Sequence, residues 1–131
     1  PLKPSIYANL LAEKLAQHQT HVWLLNTGWS GGGYGVGKRI ALPLTRAMIS
    51  AVLSDQLNNV ETHRHPIFNL DIPDEVEGVP QNVLNPELAW TDQAAYQQEA
   101  LQLAHRFAEN FKKYEKTVLP EVSAAGPRVA L

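Results

Sequence analysis

The residues best suited to chemistry in this sequence are Arg39, Ile40 and Thr45. They close a glycine-rich stretch, Asn26 to Thr45, that reads NTGWSGGGYGVGKRIALPLT. An arginine carries a planar, permanent charge that stacks on an aromatic base while its fork reaches sugar or phosphate oxygens. A threonine in the first turn of a helix presents a hydroxyl and an amide to a base edge, and Ile40 offers backbone groups at the same mouth. Five of the eight glycines lie between Gly28 and Gly35, and Gly37 follows. Glycine at that density belongs where the backbone takes positive φ or comes close to a ligand. A glycine-rich turn between a strand and a helix, ending in the cations Lys38 and Arg39, suggests a site for an anionic or planar ligand such as a nucleotide.

Other readings of these residues stay open. Gly32 to Lys38 satisfies the phosphate-loop pattern G-x-x-x-x-G-K-[ST] up to its last position, where Arg39 stands. The hydroxyl at that position would hold magnesium, which a guanidinium cannot do. No register of these glycines fits G-x-G-x-x-G. The run also reads as a plain surface loop, with Arg39 a surface cation and Thr45 a helix-start residue. Lys38 either neutralises phosphates or lies over the loop, and Trp29 and Tyr34 read as lids or packing posts. His63 and His65 have a spacing that binds metal on a strand, but no third ligand follows and Pro66 disturbs the geometry, so no metal site is assigned. Asp71, Asp74, Glu75 and Glu77 read as a solvated acidic loop. With neither a serine triad nor a cysteine nucleophile visible, no catalytic residue is assigned.

The elements that would position the glycine stretch follow from periodicity. Ser5 to His18 predicts a helix with Ser5 as N-cap, one apolar face and one wet face. His21 to Asn26, HVWLLN, predicts a strand buried on both faces. Ile40 to Leu57 predicts a helix with Pro43 in its first turn, an apolar stripe of Leu44, Met48, Ile49, Val52 and Leu53, and a close at Leu57-Asn58-Asn59. Val60 to Pro73 predicts one or two short strands, and Asp74 to Asn85 a turn-rich connection. A long helix capped by Thr91 carries Ala95, Ala100, Leu103, Ala104, Phe107, Ala108 and Phe111 on its buried stripe. Lysines 112, 113 and 116 lie at its negative end. The tail from Val118 is expected to be irregular. The doubly buried strand needs sheet neighbours that this sequence does not supply, and they are expected upstream.

With 131 residues, 44% hydrophobic and 18% charged, the chain is one domain's worth. A net charge of −2 provides no field for nucleic acid or an anionic membrane. There is no cysteine, so disulfides and thiolate metal sites are excluded. The longest apolar run falls far short of the ~20 residues that span a bilayer, and no secretory leader pattern is seen. The default compartment is the cytoplasm. A start at Pro1 rather than methionine suggests a fragment or a processed product.

The run VWLLNTGWSGGGYGVGKRI, followed by LTRAMISAVL, then IFNLDIP, GVPQNVLNP, AENFKKYE and AAGP, closely resembles the C-terminal region of ATP-dependent phosphoenolpyruvate carboxykinases. The resemblance runs over nearly all of the chain. It implies an α/β fold in which residues 1–131 form the adenine-side, C-terminal part of a mononucleotide-binding domain, with a mixed sheet flanked by helices, in a fragment of a larger chain. It implies a lyase of gluconeogenesis, a decarboxylase that converts oxaloacetate and ATP to phosphoenolpyruvate, ADP and carbon dioxide. The family's arginine, the isoleucine after it and the threonine six after it contact ATP around adenine and ribose, and these match Arg39, Ile40 and Thr45. Magnesium and manganese would bind outside this segment, as would oxaloacetate and phosphoenolpyruvate, so the segment alone would be inactive. The alternative is a stand-alone nucleotide-binding or interaction module without catalysis, its Val22–Leu25 strand paired by dimerisation at a sheet edge.

Overall fold

The computed structural model describes residues 2–129. Helix α1 spans Pro4–His18, with proline in its first turn and the extended Lys3 at the N-cap position. Ser5 therefore lies inside the first turn and is not the cap. Gln19 stops the helix in the left-handed region at φ 52°. The amphipathic face predicted for this helix has nothing packed on it: none of its residues is buried, and Ile6, Tyr7, Leu10 and Leu11 are exposed.

Residues 21–26 correct the sequence reading, because they form no strand. Val22 and Leu24 are exposed, and only Trp23 packs against a core. A strand exists through its ladder, and no described segment runs alongside this one to supply hydrogen bonds. The mixed sheet flanked by helices is likewise not what these residues form. There are two separate antiparallel pairs: β1 (Trp29–Ser30) with β2 (Lys38–Arg39), and β3 (Thr62–Arg64) with β4 (Asp71–Pro73). Each closes through its own short connection, which is the cheapest pairing a chain can make. The second pair falls in the Val60 to Pro73 stretch where one or two short strands were expected, and pairs them as a hairpin.

Helix α2 spans Leu42–Leu53 and ends before the predicted Leu57. Ser54 turns its hydroxyl back to donate to the Ser50 carbonyl at 2.7 Å, and Asp55 takes φ 58°, so the chain leaves the helix there. A 3-10 turn, Gln56–Asn59, then folds Leu57 inward. The buried face of α2 is Thr45, Met48 and Ala51, while the predicted Ile49 and Leu53 face out. Met48, Ala51 and Leu57 meet Val76 and Val79 in the first core, with Ile40, Trp23 and Val52 packed around it.

Helix α3 (Gln81–Leu84) and a 3-10 turn (Pro86–Ala89) lead to α4 (Gln93–Phe111). The cap of α4 is Asp92, whose carboxylate accepts the Ala95 amide at 3.0 Å, not the predicted Thr91. Tyr96, Ala100 and Ala104, spaced by four, are its buried stripe, and with Ile67 they make the second core. The predicted stripe residues Leu103 and Phe107 are exposed. The tail, expected to be irregular, contains a short helix α5 (Pro120–Ala124) and returns to the second core, where the Arg128 amide donates to the Ile67 carbonyl at 2.7 Å.

The chain exposes 9845 Å². A compact monomer of its 14.5 kDa would expose about 6,900 Å². The exposed apolar side chains of α1 and residues 21–26 contribute to the excess.

Candidate functional site

The glycine stretch is organised by one side chain. Asn26 accepts the Gly28 amide on its oxygen at 2.9 Å and donates from its nitrogen to the Trp29 carbonyl at 3.1 Å. That bend sends the chain into β1, and the Ile40 amide seals the far end by donating to the Gly28 carbonyl at 2.9 Å. Between the strands the Gly33 carbonyl accepts the amides of Val36 (3.1 Å) and Gly37 (2.9 Å). Gly31 is required twice over: its φ is +80°, and a Cβ there would sit 2.7 Å from the Ala89 carbonyl oxygen. Gly33, by contrast, has open space around it and no positive φ.

This hairpin delivers the three predicted site residues in a row. Arg39 ends β2 with its side chain exposed, Ile40 turns half-buried onto the first core, and Thr45 lies 8% exposed in the first turn of α2. The Ile40 amide is taken by Gly28, and the Thr45 amide donates to the Ala41 carbonyl at 3.2 Å. Neither amide is therefore free for a base edge, which corrects that part of the sequence reading. The groups that suit a base and its sugar are the Arg39 fork, the Ile40 carbonyl and the Thr45 hydroxyl. Lys38 is exposed on β2 opposite Ser30. Tyr34, fully exposed at the tip, has its ring centre 6.5 Å from that of Trp29.

A groove of about 1110 Å³ opens beside the hairpin, lined by His21–Asn26, Trp29–Gly32, the β3–β4 turn and Trp90. Arg39, Ile40 and Thr45 do not line it. It exceeds the ~300–1,000 Å³ usual for small-molecule clefts, and its wall of unpaired extended chain is the segment that reads as a strand.

The two histidines go separate ways. His63, exposed, lies with Nδ1 2.6 Å from the Asp74 carboxylate. His65 is buried and bonded to the Tyr96 hydroxyl at 2.7 Å. Among the described residues no three His, Asp or Glu side chains converge as metal ligands would. Sequence reasoning missed the His65–Tyr96 pair, whose partners are 31 positions apart with no periodic signal between them. The role of Asn26 was findable, since Asn two residues before glycine is a turn-forming pattern.

Comparison with known proteins decides the family. The family model described as phosphoenolpyruvate carboxykinase matches residues 1–82. The chain belongs to the phosphoenolpyruvate carboxykinase family. It is 51% identical over 128 residues to the phosphoenolpyruvate carboxykinase (ATP) of Thermus thermophilus, covering 98% of this chain. The enzyme of the same name from Caldanaerobacter subterraneus is 52% identical over 128 residues, and that from Bacillus cytotoxicus 51% over 127. The chain spans 24% of the length of each of these carboxykinases. Similarity to these relatives extends through α4 and the tail, beyond the stretch matched by the family model.

Proposed function

We propose that these residues supply the adenine-side nucleotide contacts of an ATP-dependent phosphoenolpyruvate carboxykinase, which converts oxaloacetate and ATP to phosphoenolpyruvate, ADP and carbon dioxide. The observation that carries the reading is the presence of Arg39, Ile40 and Thr45 in a family member, held at one hairpin end and one helix start. The Arg39 guanidinium stacks on or forks around the nucleotide, the Ile40 carbonyl accepts from an amino group, and the recessed Thr45 hydroxyl reads a base edge or ribose. ATP supplies the phosphoryl group, and this segment holds the base and sugar so that the group arrives in register.

Magnesium and manganese, the phosphate-binding loop and the oxaloacetate contacts belong, in this reading, to the remaining length of the enzyme. The exposed faces of α1 and of Val22–Leu25 and the neighbouring groove are its seat, and His21–Asn26 becomes a strand when a sheet edge is offered to it. The whole enzyme works in the cytoplasm, with neither nucleic acid nor membrane as partner. No helix among the described residues is long and apolar enough to cross a membrane. Phosphoenolpyruvate production from oxaloacetate and ATP is the direct test. The 131 residues alone yield none, whereas a complete enzyme carrying them does and loses apparent ATP affinity on Arg39→Ala. Turnover by the segment alone, or an unchanged KM for ATP in the variant, contradicts the proposal.

A further inference from the structure

His65 opens the tight turn between β3 and β4. Its amide donates to the Leu70 carbonyl at 2.8 Å, and its carbonyl accepts the Asn69 amide at 3.0 Å. Its ring points inward and is 6% exposed as a residue. Nδ1 accepts the amides of Ile67 and Phe68, each at 3.2 Å. Two donors aimed at one nitrogen leave it no proton, so the ring proton sits on Nε2 and is donated to the Tyr96 hydroxyl at 2.7 Å. One end of the imidazole caps the turn, and the other bolts it to α4.

We infer that His65 is an acid-sensitive latch: a proton on Nδ1 ends its acceptance of the Ile67 and Phe68 amides and uncaps the β3–β4 turn, while Nε2–H still donates to Tyr96. A charged ring would point a third N–H at two others in a site with little water to absorb the conflict. The groups facing it are few. Glu87, from the 3-10 turn before α4, favours the charged ring, while His63 on β3 opposes it. Tyr96 is the group facing it from α4, and burial, then Glu87, hold its phenol in the neutral form by raising its pKa. Arg64, paired with Asp71 at 2.7 Å, and Arg128, 3.4 Å from the Asn69 side-chain oxygen, are cations at the turn.

Burial is the largest influence on the ring and holds its pKa below the ordinary 6.5, outweighing Glu87. An opened turn protonates at the ordinary value, so the latch is fully closed above about pH 6.5 and is lost as pH falls below it toward the depressed value. Opening reaches further than the turn. The Ile67 carbonyl holds the tail through Arg128, and His65 and Phe68 both line the groove.

Nuclear magnetic resonance of the 131-residue chain between pH 8 and pH 5 tests this. Ring nitrogen shifts report the His65 tautomer, and hydrogen exchange corrected for its intrinsic pH dependence reports the Ile67 and Phe68 amides. The proton is expected on Nε2 at pH 8. As His65 titrates, the two amides should lose roughly tenfold or more of their protection, while Met48 and Ala51 in α2 keep theirs. His65→Asn offers an oxygen that can cap the same turn but cannot titrate, and its protection should stay flat across the range. Amides that stay protected while His65 titrates, a ring that never titrates above pH 5, or a proton on Nδ1 at pH 8 each overturn the inference. So does equal acid loss in His65→Asn, and if that variant does not fold, the wild-type traces alone decide.

Discussion

Arg39 is the residue on which the functional reading turns, and what the proposal asks of it is shape as well as charge. Lysine keeps the charge but loses the planar fork, so Arg39→Lys should weaken ATP binding nearly as much as Arg39→Ala, measured by calorimetric titration. Thr45 is buried in the first turn of α2. Thr45→Val is nearly isosteric, so it should leave the far-ultraviolet dichroism unchanged while lowering ATP affinity roughly tenfold, the worth of one hydrogen bond. Gly31 has a structural duty instead. With φ +80° and the Ala89 carbonyl where a β-carbon would go, Gly31→Ala should cost about 1–3 kcal/mol, seen as a lower urea midpoint. The residue types proposed for the site came from the sequence, but which of their atoms stay free did not. The engaged amides of Ile40 and Thr45 depend on how the hairpin closes on Gly28 and how α2 starts at Ala41, which no spacing encodes.

At the scale of elements, local rules fixed the existence of helices and left their ends and inner faces to tertiary packing. The long helix was legible from its length and stripe, yet its cap moved by one residue because the Asp92 carboxylate reaches the Ala95 amide. Asp92→Ala should therefore lower stability by about 1 kcal/mol in urea denaturation, and Thr91→Ala should change little. The predicted faces of α2 and α4 were rotated because apolar residues can also face outward. Ile49, Leu53, Leu103 and Phe107 are exposed although the same pattern buries Met48 and Ala104. Short strands between Val60 and Pro73 were legible, but their pairing was not, since most of the alternating stretch, residues 67–70, lies in the turn, and the latch there had no signal of its own. If the latch operates, the urea midpoint of the wild type falls between pH 7.5 and pH 5.5, and that of His65→Asn does not.

Across the whole molecule the governing quantity is exposed surface. The 9845 Å² of this chain exceeds the area of a compact monomer of its mass by about 2,900 Å², and the apolar side chains of α1 and residues 21–26 contribute to it. Leu10→Ser with Leu11→Ser should shift the stability of the isolated chain by less than about 0.5 kcal/mol, since neither residue is packed. On the proposed reading, in which that face is seated in a complete carboxykinase, the same pair should lower the thermal midpoint of that enzyme. The doubly apolar run His21–Asn26 was read as a strand because burial on both faces is written into it, and it fails to form one here because pairing is a property of neighbours. The family was legible because the run from Asn26 to Thr45 is a local signature that does not depend on the rest of the sheet. Titrating ATP into the chain by calorimetry, with Arg39→Ala alongside and both proteins shown to be folded by circular dichroism, tests the nucleotide site most directly. Saturable binding that weakens tenfold or more in the variant is the predicted result, and equal binding by both proteins, or none by the folded wild type, would contradict it.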